Sequence, residues 1–421
     1  MNKVKLGELL KIKHGYAFKS ENYVDKSKYA LVTLANISAT NNFQYNKEKT
    51  TFYGADFPKD FILSEDDLIM PLTEQVVGLF GNTAFVPKIS DVTFVLNQRV
   101  GKVVPIEGKA DKYYLHYLLA TNLVKDQLEY RASGTRQRNI SPTDIYDVEV
   151  FVHDIETQRK IGSFLYNIER KINMNNAIND NLEQQILSIY HYLFTQFDFP
   201  DEVGNPYCSS GGKMLQNDIL KRNIPITWKV KTLGELCSFQ NGINYDKGII
   251  GDKDYRIINV RNISSSSILL DENELDIISL PHKKGDKYCV TDDSIIIARS
   301  GIPGATRILF KPTTNTIFCG FIICCKPTDK ELQYYLTFYL KLLEGSSATQ
   351  TGGSILQNVS QDTLSSLPVP IPPKMLLDEF NQTVLQTFEL IHTNMNETSQ
   401  LINLRDWLLP MLMNGQATIS D

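Results

Sequence analysis

The sequence lacks the features that mark membrane, secreted and DNA-coating proteins. No apolar run approaches the roughly 18 residues of a membrane helix, and the apolar stretch at the N-terminus is too short for a signal peptide. The formal net charge is −5, which argues against a protein that coats DNA by bulk electrostatics but allows local basic patches. With 42% hydrophobic and 22% charged residues, the composition predicts an ordinary globular protein. The cysteines do not suggest a disulfide framework, so we expect reduced thiols and a location in the cytoplasm.

Metal, nucleotide and methyltransferase motifs are lacking as well. The six cysteines contain no CxxC pair and the six histidines no HExxH, so neither a disulfide framework nor a zinc site is expected. Gly212-Lys213 lacks the first glycine and the final Ser or Thr of a phosphate-binding loop. The segment 371–374 lacks both outer residues of an Asn/Asp-Pro-Pro-aromatic tetrad. We therefore expect no catalytic residue, metal or cofactor in this chain.

Two acidic pairs resemble metal carboxylates. Asp66-Asp67 and Asp292-Asp293 each precede a predicted strand, with no lysine at nuclease spacing. Aspartate is common in turns because its side chain accepts hydrogen bonds from nearby backbone N–H groups. The sequence therefore favours a turn role for both pairs.

What the sequence does contain is an internal repeat. Five segments recur in the same order. No single pair of segments would be specific enough to establish a repeat, but five pairs in one order are. They are LGEL at 6–9 and 233–236, LVTLANIS at 31–38 and IINVRNIS at 257–264, EDDLIM at 65–70 and TDDSII at 291–296, YLHYLL at 114–119 and YLTFYL at 335–340, and SGTRQRNIS at 133–141 and GGSILQNVS at 352–360. The repeat predicts two copies of one unit of about 200 residues, much longer than a solenoid repeat.

Each copy begins with short β-type runs separated by Gly, Pro and Asp, and ends in a long helical segment with a heptad seam. The predicted organisation is a β-rich domain at 1–152, a helix at 153–198, a connector at 199–226, a second β-rich domain at 227–373 and a second helix at 374–416. The seam positions of the first helix are Ile161, Leu165, Ile168, Ile172, Asn175, Asn179, Leu182, Ile186 and Ile189. Those of the second are Phe380, Val384, Ile391, Asn394, Leu401 and Leu408.

The two seams have equal length, so they most simply pack on each other. Asn175 and Asn394 are equivalent positions 219 residues apart, and a seam asparagine fixes register at a cost in packing. We therefore predict an α+β protein in which two β-rich domains are joined by two long helices that form a coiled coil. Either orientation of the helix pair is sterically possible at this point, and an antiparallel pair would relate the two copies of the repeat by a pseudo-twofold axis.

These motifs resemble the specificity subunit of type I restriction-modification systems. The resemblance rests on NIPITWKVKTLGELCSFQNG (223–242) and on SGTRQRNISPTDIYDVEVFVHDIETQRKIGSFL (133–165), and extends over essentially the whole chain. It implies that residues 1–152 and 227–373 are target-recognition domains, each of which reads one half of a bipartite, asymmetric site in double-stranded DNA. It also implies that the coiled coil is antiparallel and sets the gap between the two halves. It further implies two modification subunits that bring S-adenosylmethionine and restriction subunits that bring ATP and Mg²⁺. The chain itself would have no catalytic activity.

The two copies depart from the family pattern at the start of the helix. The first copy has Gln158 but not the proline pair usual before the helix. The second has Pro372-Pro373 but carries Leu377 at the position of Gln158. Each copy therefore keeps only part of the pattern.

A DNA reader needs phosphate contacts for position and base-edge contacts for specificity. Arginine matches guanine, asparagine and glutamine match adenine, and loops beside strands are the expected location. The candidates in the first copy are Lys13, His14, Tyr16, Lys19, Thr73, Glu74, Gln75, Asn97, Gln98, Arg99, Arg136 and Arg138. Those in the second are Asn241, Asn244, Tyr245, Arg256, Arg261, Lys283, Lys284, Arg299, Ser300 and Arg307.

The basic segment ASGTRQRNIS (132–141) has its own interpretation. Its twin TGGSILQNVS (351–360) keeps Gly, Asn and Ser but has no arginine. The shared residues therefore predict a turn that returns the recognition domain toward its helix. Arg136 and Arg138, which differ between the copies, stay as candidate DNA contacts.

Two alternatives remain at this point. One is a fused restriction or methyltransferase enzyme, which binding of S-adenosylmethionine by the isolated chain would favour. The other is a coiled-coil scaffold that does not bind DNA, which the absence of any sequence-dependent footprint would favour.

Overall fold

The computed structural model describes residues 1–75, 77–134, 137–245, 251–264, 267–313, 315–344 and 359–419. The chain divides into two compact units. Unit 1 comprises Met1–Ile172 and Leu401–Asp421, and unit 2 comprises Asn173–Gln400. Both long helices contribute one part to each unit.

In the residues that the structure describes, unit 1 contains short strands, three short α-helices and parts of both long helices. The strands are β1 (Asn2–Lys5), β2 (Leu10–His14), β3 (Tyr23–Val24), β4 (Tyr29–Val32), β5 (Phe52–Tyr53), β6 (Leu68–Pro71), β7 (Thr73–Glu74), β8 (Ala84–Phe85), β9 (Thr93–Leu96), β10 (Val100–Pro105), β11 (Arg138–Asn139) and β12 (Glu149–Val152). The helices are α1 (Lys112–Leu119), α2 (Asn122–Arg131), α3 (Pro142–Tyr146) and the first half of α4 (Ile155–Tyr190). The sheets have the orders β2-β10-β6-β8, β3-β5-β4-β9, β1-β12 and β11-β7.

Unit 2 continues from α4 through a π-helical turn, His191–Thr195. Its strands are β13 (Met214–Asn217), β14 (Arg222–Pro225), β15 (Lys229–Thr232), β16 (Cys237–Asn241), β17 (Lys253–Ile258), β18 (Asp276–Leu280), β19 (Ile295–Ala298), β20 (Thr306–Ile308), β21 (Thr316–Phe318), β22 (Ile322–Pro327) and β23 (Pro368–Ile371). Its helices are α5 (Leu233–Leu236), α6 (Val260–Ile263), α7 (His282–Gly285), α8 (Gln333–Leu342), α9 (Gln361–Ser365) and α10 (Lys374–Met413), which ends in unit 1.

The predicted repeat of an α+β unit is confirmed by the strand order. The sheet β2-β10-β6-β8 of unit 1 recurs in unit 2 as β16-β22-β19-β20, and the pair β1-β12 recurs as β15-β23. The parallel pair β4-β9 recurs as β17-β21. Ser141 and Ser360, matched in the sequence, are both N-caps, because each hydroxyl accepts a hydrogen bond from a backbone N–H three residues later.

In unit 2 the two long helices pack antiparallel. The Asn175 amide donates to Glu397 Oε2 at 2.8 Å, and the Asn394 amide donates to Asn179 Oδ1 at 2.9 Å. Further along α4, the Tyr190 ring lies 5.8 Å from that of Phe380. The other seam positions within this unit are buried or half-buried: Leu182, Ile186, Ile189, Val384 and Ile391.

The same antiparallel arrangement occurs in unit 1. Ile161 and Leu165 of α4 share a buried cluster with Leu412 of α10, against which Leu408 also packs. The remaining seam positions, Ile168, Ile172 and Leu401, are buried or half-buried.

The segment predicted as a connector is itself folded. Strands β13 and β14 form an antiparallel hairpin. The ring of Phe199 stacks between Tyr207 and Trp228, with centroid distances of 4.8 and 5.8 Å. The content of Gly, Ser, Asn and Pro predicted a connector and gave no indication of this aromatic stack, which attaches the segment to unit 2.

Candidate nucleic-acid interface

In unit 1, candidate segments far apart in sequence meet at one end of the sheet β2-β10-β6-β8. The Gln98 N–H donates to Tyr16 O at 3.0 Å, and the Leu72 N–H donates to Arg99 O at 2.9 Å. The Ile140 N–H donates in turn to Leu72 O at 3.0 Å. We call this surface edge 1, defined by residues 13–16, 73–75, 97–99 and 137–139.

Unit 2 repeats these backbone bonds at the equivalent end of its own sheet. The Arg299 N–H donates to Phe321 O at 2.9 Å, and the Val359 N–H donates to Arg299 O at 3.0 Å. The Ile243 N–H donates to Phe318 O at 2.9 Å, as the Tyr16 N–H does to Leu96 O. We call this surface edge 2, defined by residues 241–245, 299–300, 319–321 and 359.

A glycine allows the close backbone approach at each edge. A Cβ added to Gly15 would lie 2.0 Å from Asn97 O, and one added to Gly242 would lie 2.1 Å from Cys319 O. Neither position can accept a side chain without moving the backbone. In both copies this glycine comes six residues after LGEL. The recurrence of the glycine in the sequence therefore has a structural cause.

Several candidates project from these edges. At edge 1, Lys13, His14, Gln75, Gln98 and Arg99 are exposed, whereas Tyr16 and Thr73 are half-buried. At edge 2, Asn241 and Asn244 are exposed, whereas Tyr245, Arg299 and Ser300 are half-buried. Their contact with DNA stays a prediction.

Three other candidates are buried, and the structure corrects them. Glu74 is 1% exposed and Oε2 accepts a hydrogen bond from the Leu79 N–H at 2.9 Å. Asn97 is 6% exposed, and its Oδ1 accepts from the Arg99 N–H at 3.3 Å. Arg307 is 2% exposed and lies 2.6 Å from Glu344. These groups hold the backbone of their own units, so we no longer expect them to contact bases.

Arg138 is corrected for a different reason. Its guanidinium lies 2.9 Å from Glu74 and 3.0 Å from Glu129, and it also donates to Glu129 O. Two carboxylates balance its charge, so it secures the turn before α3 rather than offering a free cation to DNA. Arg136 lies outside the described residues.

The remaining five candidates lie outside both edges. Lys19 is 3.8 Å from Glu21, and Arg261 forms an ion pair with Asp276. Arg256 is half-buried in β17 and lines a cavity with residues of α10. Lys283 and Lys284 are exposed on α7.

Both copies match one family of known proteins. Residues 1–184 and 225–403 match the model of the type I restriction modification DNA specificity domain. The chain belongs to this family. The two matched segments contain the two edges and most of both long helices.

Similar proteins carry the corresponding names. The type I restriction enzyme MjaIX specificity subunit of Methanocaldococcus jannaschii is 23% identical over 329 residues, covering 77% of this chain and 73% of that protein. The type I restriction enzyme HindI specificity subunit of Haemophilus influenzae is 22% identical over 361 residues, covering 72% and 77%. The crystal structure of the type I restriction-modification S subunit from M. genitalium superposes with a TM-score of 0.62 at 17% identity, covering 98% of this chain and 95% of that one. It shows that the fold is shared.

Sequence reasoning missed a buried polar cluster in unit 1 that fastens the recognition part to α4. The Tyr117 hydroxyl donates to Glu169 Oε2 at 2.8 Å, and His116 Nε2 lies 3.4 Å from the same oxygen. Burial alone would raise the pKa of Glu169, but the hydrogen bonds from His116 and Tyr117 and the charge of Arg405 outweigh it and lower that pKa. A charged residue beside the seam gave no sequence signal, because helical surfaces carry many glutamates.

Unit 2 has a buried glutamate on the same helix. Glu183 Oε1 accepts hydrogen bonds from Ser267 Oγ at 2.6 Å and from the Ile268 N–H at 3.0 Å. Burial raises the pKa of Glu183 despite these bonds. Each unit therefore has one glutamate of α4 that is hydrogen-bonded to its recognition part. The pKa of Glu169 is lowered, whereas that of Glu183 is raised.

The described residues contain no group of three or more His, Cys, Asp or Glu side chains placed to hold a metal ion. Asp66 adopts a left-handed backbone conformation with φ of 63° and accepts hydrogen bonds from the Tyr113 and Tyr166 hydroxyls. Its neighbour Asp67 pairs with Lys102 at 2.7 Å.

Among the residues that the structure describes, every helix is too short or too polar to span a membrane.

Proposed function

We propose that this chain is the DNA sequence-recognition subunit of a type I restriction-modification complex. Edge 1 reads one half of a bipartite, asymmetric site in double-stranded DNA, and edge 2 reads the other half. The chain catalyses no reaction; it selects the sequence on which its partners act.

The observation that carries this proposal is the shared frame of the two edges. Equivalent backbone hydrogen bonds at both edges support different exposed side chains, such as Gln98 and Arg99 at edge 1 and Asn241 and Asn244 at edge 2. A constant backbone with variable side chains suits a protein that reads two different sequences by the same geometry.

The paired helices set the gap between the two half-sites. Asn175 and Asn394 fix the register of α4 against α10 through hydrogen bonds to Glu397 and Asn179. Since an α-helix rises 1.5 Å per residue, an insertion of seven residues in both helices adds about 10 Å. That length corresponds to roughly three base pairs of duplex.

The chain works with partners in the cytoplasm. Two modification subunits dock on it and methylate adenine with S-adenosylmethionine. Restriction subunits add ATP- and Mg²⁺-dependent translocation and cleavage. These cofactors bind to the partners and not to this chain.

Footprinting of the chain in complex with its modification subunits tests the proposal. We expect protection of two short tracts separated by an unread gap. Insertion of seven residues at matching places in α4 and α10 should lengthen the gap and leave both half-sites unchanged. A footprint without sequence dependence would contradict the reader function, and altered half-sites after insertion would contradict the spacing role.

A further inference from the structure

Unit 1 carries a basic and aromatic surface that the proposed reading edges do not include. The ammonium groups of Lys28 and Lys59 lie 5.0 and 4.9 Å from the centroid of the Tyr29 ring, and Lys59 is also 4.5 Å from that of Phe57. Both lysines are exposed. Neither forms an ion pair with a carboxylate among the residues that the structure describes. We call Lys28, Tyr29, Phe57 and Lys59 the Tyr29 face.

The Tyr29 face is joined to edge 1 through an aromatic cluster in which Phe57 and Phe18 are buried. The ring of Phe57 lies 5.4 Å from Phe18, and Phe18 lies 5.0 Å from Tyr16 of edge 1. The edge 1 residue Lys13 is held in a similar way, with its ammonium group 5.4 Å from the Phe61 ring. A ligand bound at edge 1 would therefore meet further lysines along the same aromatic cluster.

The equivalent position in unit 2 is neutralised. Tyr255 follows Tyr29 by the 226 positions that separate the second repeat pair, and Lys253 lies 5.1 Å from its ring centroid. However, Lys253 forms an ion pair with Asp286 at 2.8 Å, and the Tyr255 hydroxyl donates to the same carboxylate at 2.7 Å.

The two tyrosines report this difference in local charge. Burial would raise the pKa of Tyr29, but its contacts with Lys28 and Lys59 lower it overall. Burial raises the pKa of Tyr255, and the Asp286 carboxylate raises it further. The Tyr29 face therefore keeps a positive potential that its counterpart in unit 2 has lost.

We infer that the Tyr29 face binds the phosphate backbone of the DNA duplex without base preference and so positions the duplex on edge 1; this rests on the proposed function. Lysines that neutralise phosphates release counterions, so log affinity falls as log salt rises. Each contact makes this negative slope steeper by about 0.9, and by the salt slope we mean its magnitude. The aromatic rings orient the ammonium groups without neutralising their charge. The two units therefore contribute unequally to the electrostatic part of DNA affinity.

The test is the double variant Lys28→Gln/Lys59→Gln in the full chain bound to its modification subunits. The affinity for duplexes with and without the recognised site is measured from about 50 to 200 mM salt. The matched control is Lys3→Gln/Lys5→Gln, which removes the same charge from lysines already paired with Glu149 and Asp147 at 2.6 and 2.8 Å. We expect the double variant to reduce the salt slope by about two, with equal loss of affinity for both duplexes, and the control to keep the wild-type slope.

A second variant tests the neutralisation in unit 2. Asp286→Asn frees Lys253, so it should raise the salt slope by about one. An unchanged slope in Asp286→Asn would show that neutralisation at Tyr255 does not explain the difference between the units.

The outcomes separate this inference from the proposed function. If the wild-type complex recognises its site but Lys28→Gln/Lys59→Gln keeps the wild-type slope, the inference fails and the proposed function stands. If the variant changes the sequence recognised, the lysines read bases and the phosphate role is wrong. If the wild-type complex does not discriminate between the duplexes, the proposed function itself fails.

Discussion

At two equivalent positions of the long helices, the contact with the recognition part is made by hydrogen bonds in unit 1 and by apolar side chains in unit 2. Gln158 of α4 accepts a hydrogen bond from the Asp111 N–H at 3.1 Å and donates to His153 O at 2.9 Å. Its equivalent Leu377, 219 positions later, is buried among apolar side chains.

The same contrast occurs about three turns of helix further on. Glu169 is bonded to Tyr117 in unit 1. The equivalent residues in unit 2 are Phe388 and Phe338, whose rings lie 6.2 Å apart. At these two positions the contact is therefore made by hydrogen bonds in unit 1 and by packed apolar side chains in unit 2. The two junctions should therefore respond to different perturbations.

The largest effect is expected from removing volume in unit 2. Phe388 is fully buried, so Phe388→Ala should destabilise the protein by about 3–5 kcal/mol through lost burial and a cavity. Urea unfolding followed by fluorescence of Trp228, which is buried in unit 2, checks this in a Trp407→Phe background. Leu390→Ala, on the same helix but 57% exposed, is the control and should cost less than about 0.5 kcal/mol. Equal effects of the two variants would contradict the assignment of Phe388 to the core.

The next effect concerns the charge in unit 1. Glu169→Gln keeps the shape but removes the carboxylate that Tyr117 and His116 contact, so it should cost about 1.5–3 kcal/mol near neutral pH. Because the pKa of Glu169 is lowered in the folded protein, its contribution is complete above the ordinary value of 4.5 and is lost as pH falls through the lower folded value.

Thermal unfolding of wild type and Glu169→Gln from neutral to acidic pH measures this contribution. The difference in stability between them should shrink as the solution becomes more acidic. A difference that stays constant with pH would mean that the Glu169 charge does not stabilise the junction.

A smaller effect is expected from giving unit 1 the residue of unit 2. Gln158→Leu leaves the Asp111 N–H and the His153 carbonyl without their partner, which should cost about 1–3 kcal/mol. The reciprocal Leu377→Gln places an amide in an apolar cluster and should destabilise by a similar amount. Chemical denaturation of both variants provides the measurement; tolerance of either exchange would mean that the two junctions are interchangeable.

The smallest expected effect concerns the two buried glutamates of α4. Their contributions to the free energy of unfolding should change with pH in opposite directions. The pKa of Glu183 is raised by burial, so the folded protein favours its protonated form. The contribution of Glu183 to stability is complete below the ordinary value of 4.5 and is lost as the pH rises through the higher folded value. Relative to wild type, Glu183→Gln should therefore become more stable with rising pH, opposite to Glu169→Gln. The same thermal series decides this, and parallel pH profiles for the two variants would contradict it.

The architecture could be predicted because the sequence contains the same pattern of motifs twice. Motifs such as LGEL and the matched Ser141 and Ser360 recur in order, and two copies of one sequence pattern adopt one fold. The seam was visible because its period of 3.5 residues is a local property of the sequence. The resemblance to a family rested on the same contiguous motifs.

The site could be predicted only in part, because burial of a charge depends on distant partners. Glu74 and Arg138 are 64 positions apart in the sequence, and Arg307 and Glu344 are 37 apart. The sequence placed Glu74, Arg138 and Arg307 among the loop candidates for DNA contact, whereas the fold joins Glu74 to Arg138 and Arg307 to Glu344 in ion pairs. For the same reason the Tyr29 face was not predicted, since Lys59 reaches Tyr29 from another part of the chain.

The proposed reading of one half-site by each edge can be tested by mapping methylated adenines in cells that carry the complex with Arg99→Ala at edge 1 or Asn244→Ala at edge 2. Each variant should relax the sequence of a different half-site and leave the other half and the gap unchanged. Relaxation of the same half-site by both variants, or a change in the gap by either, would contradict it.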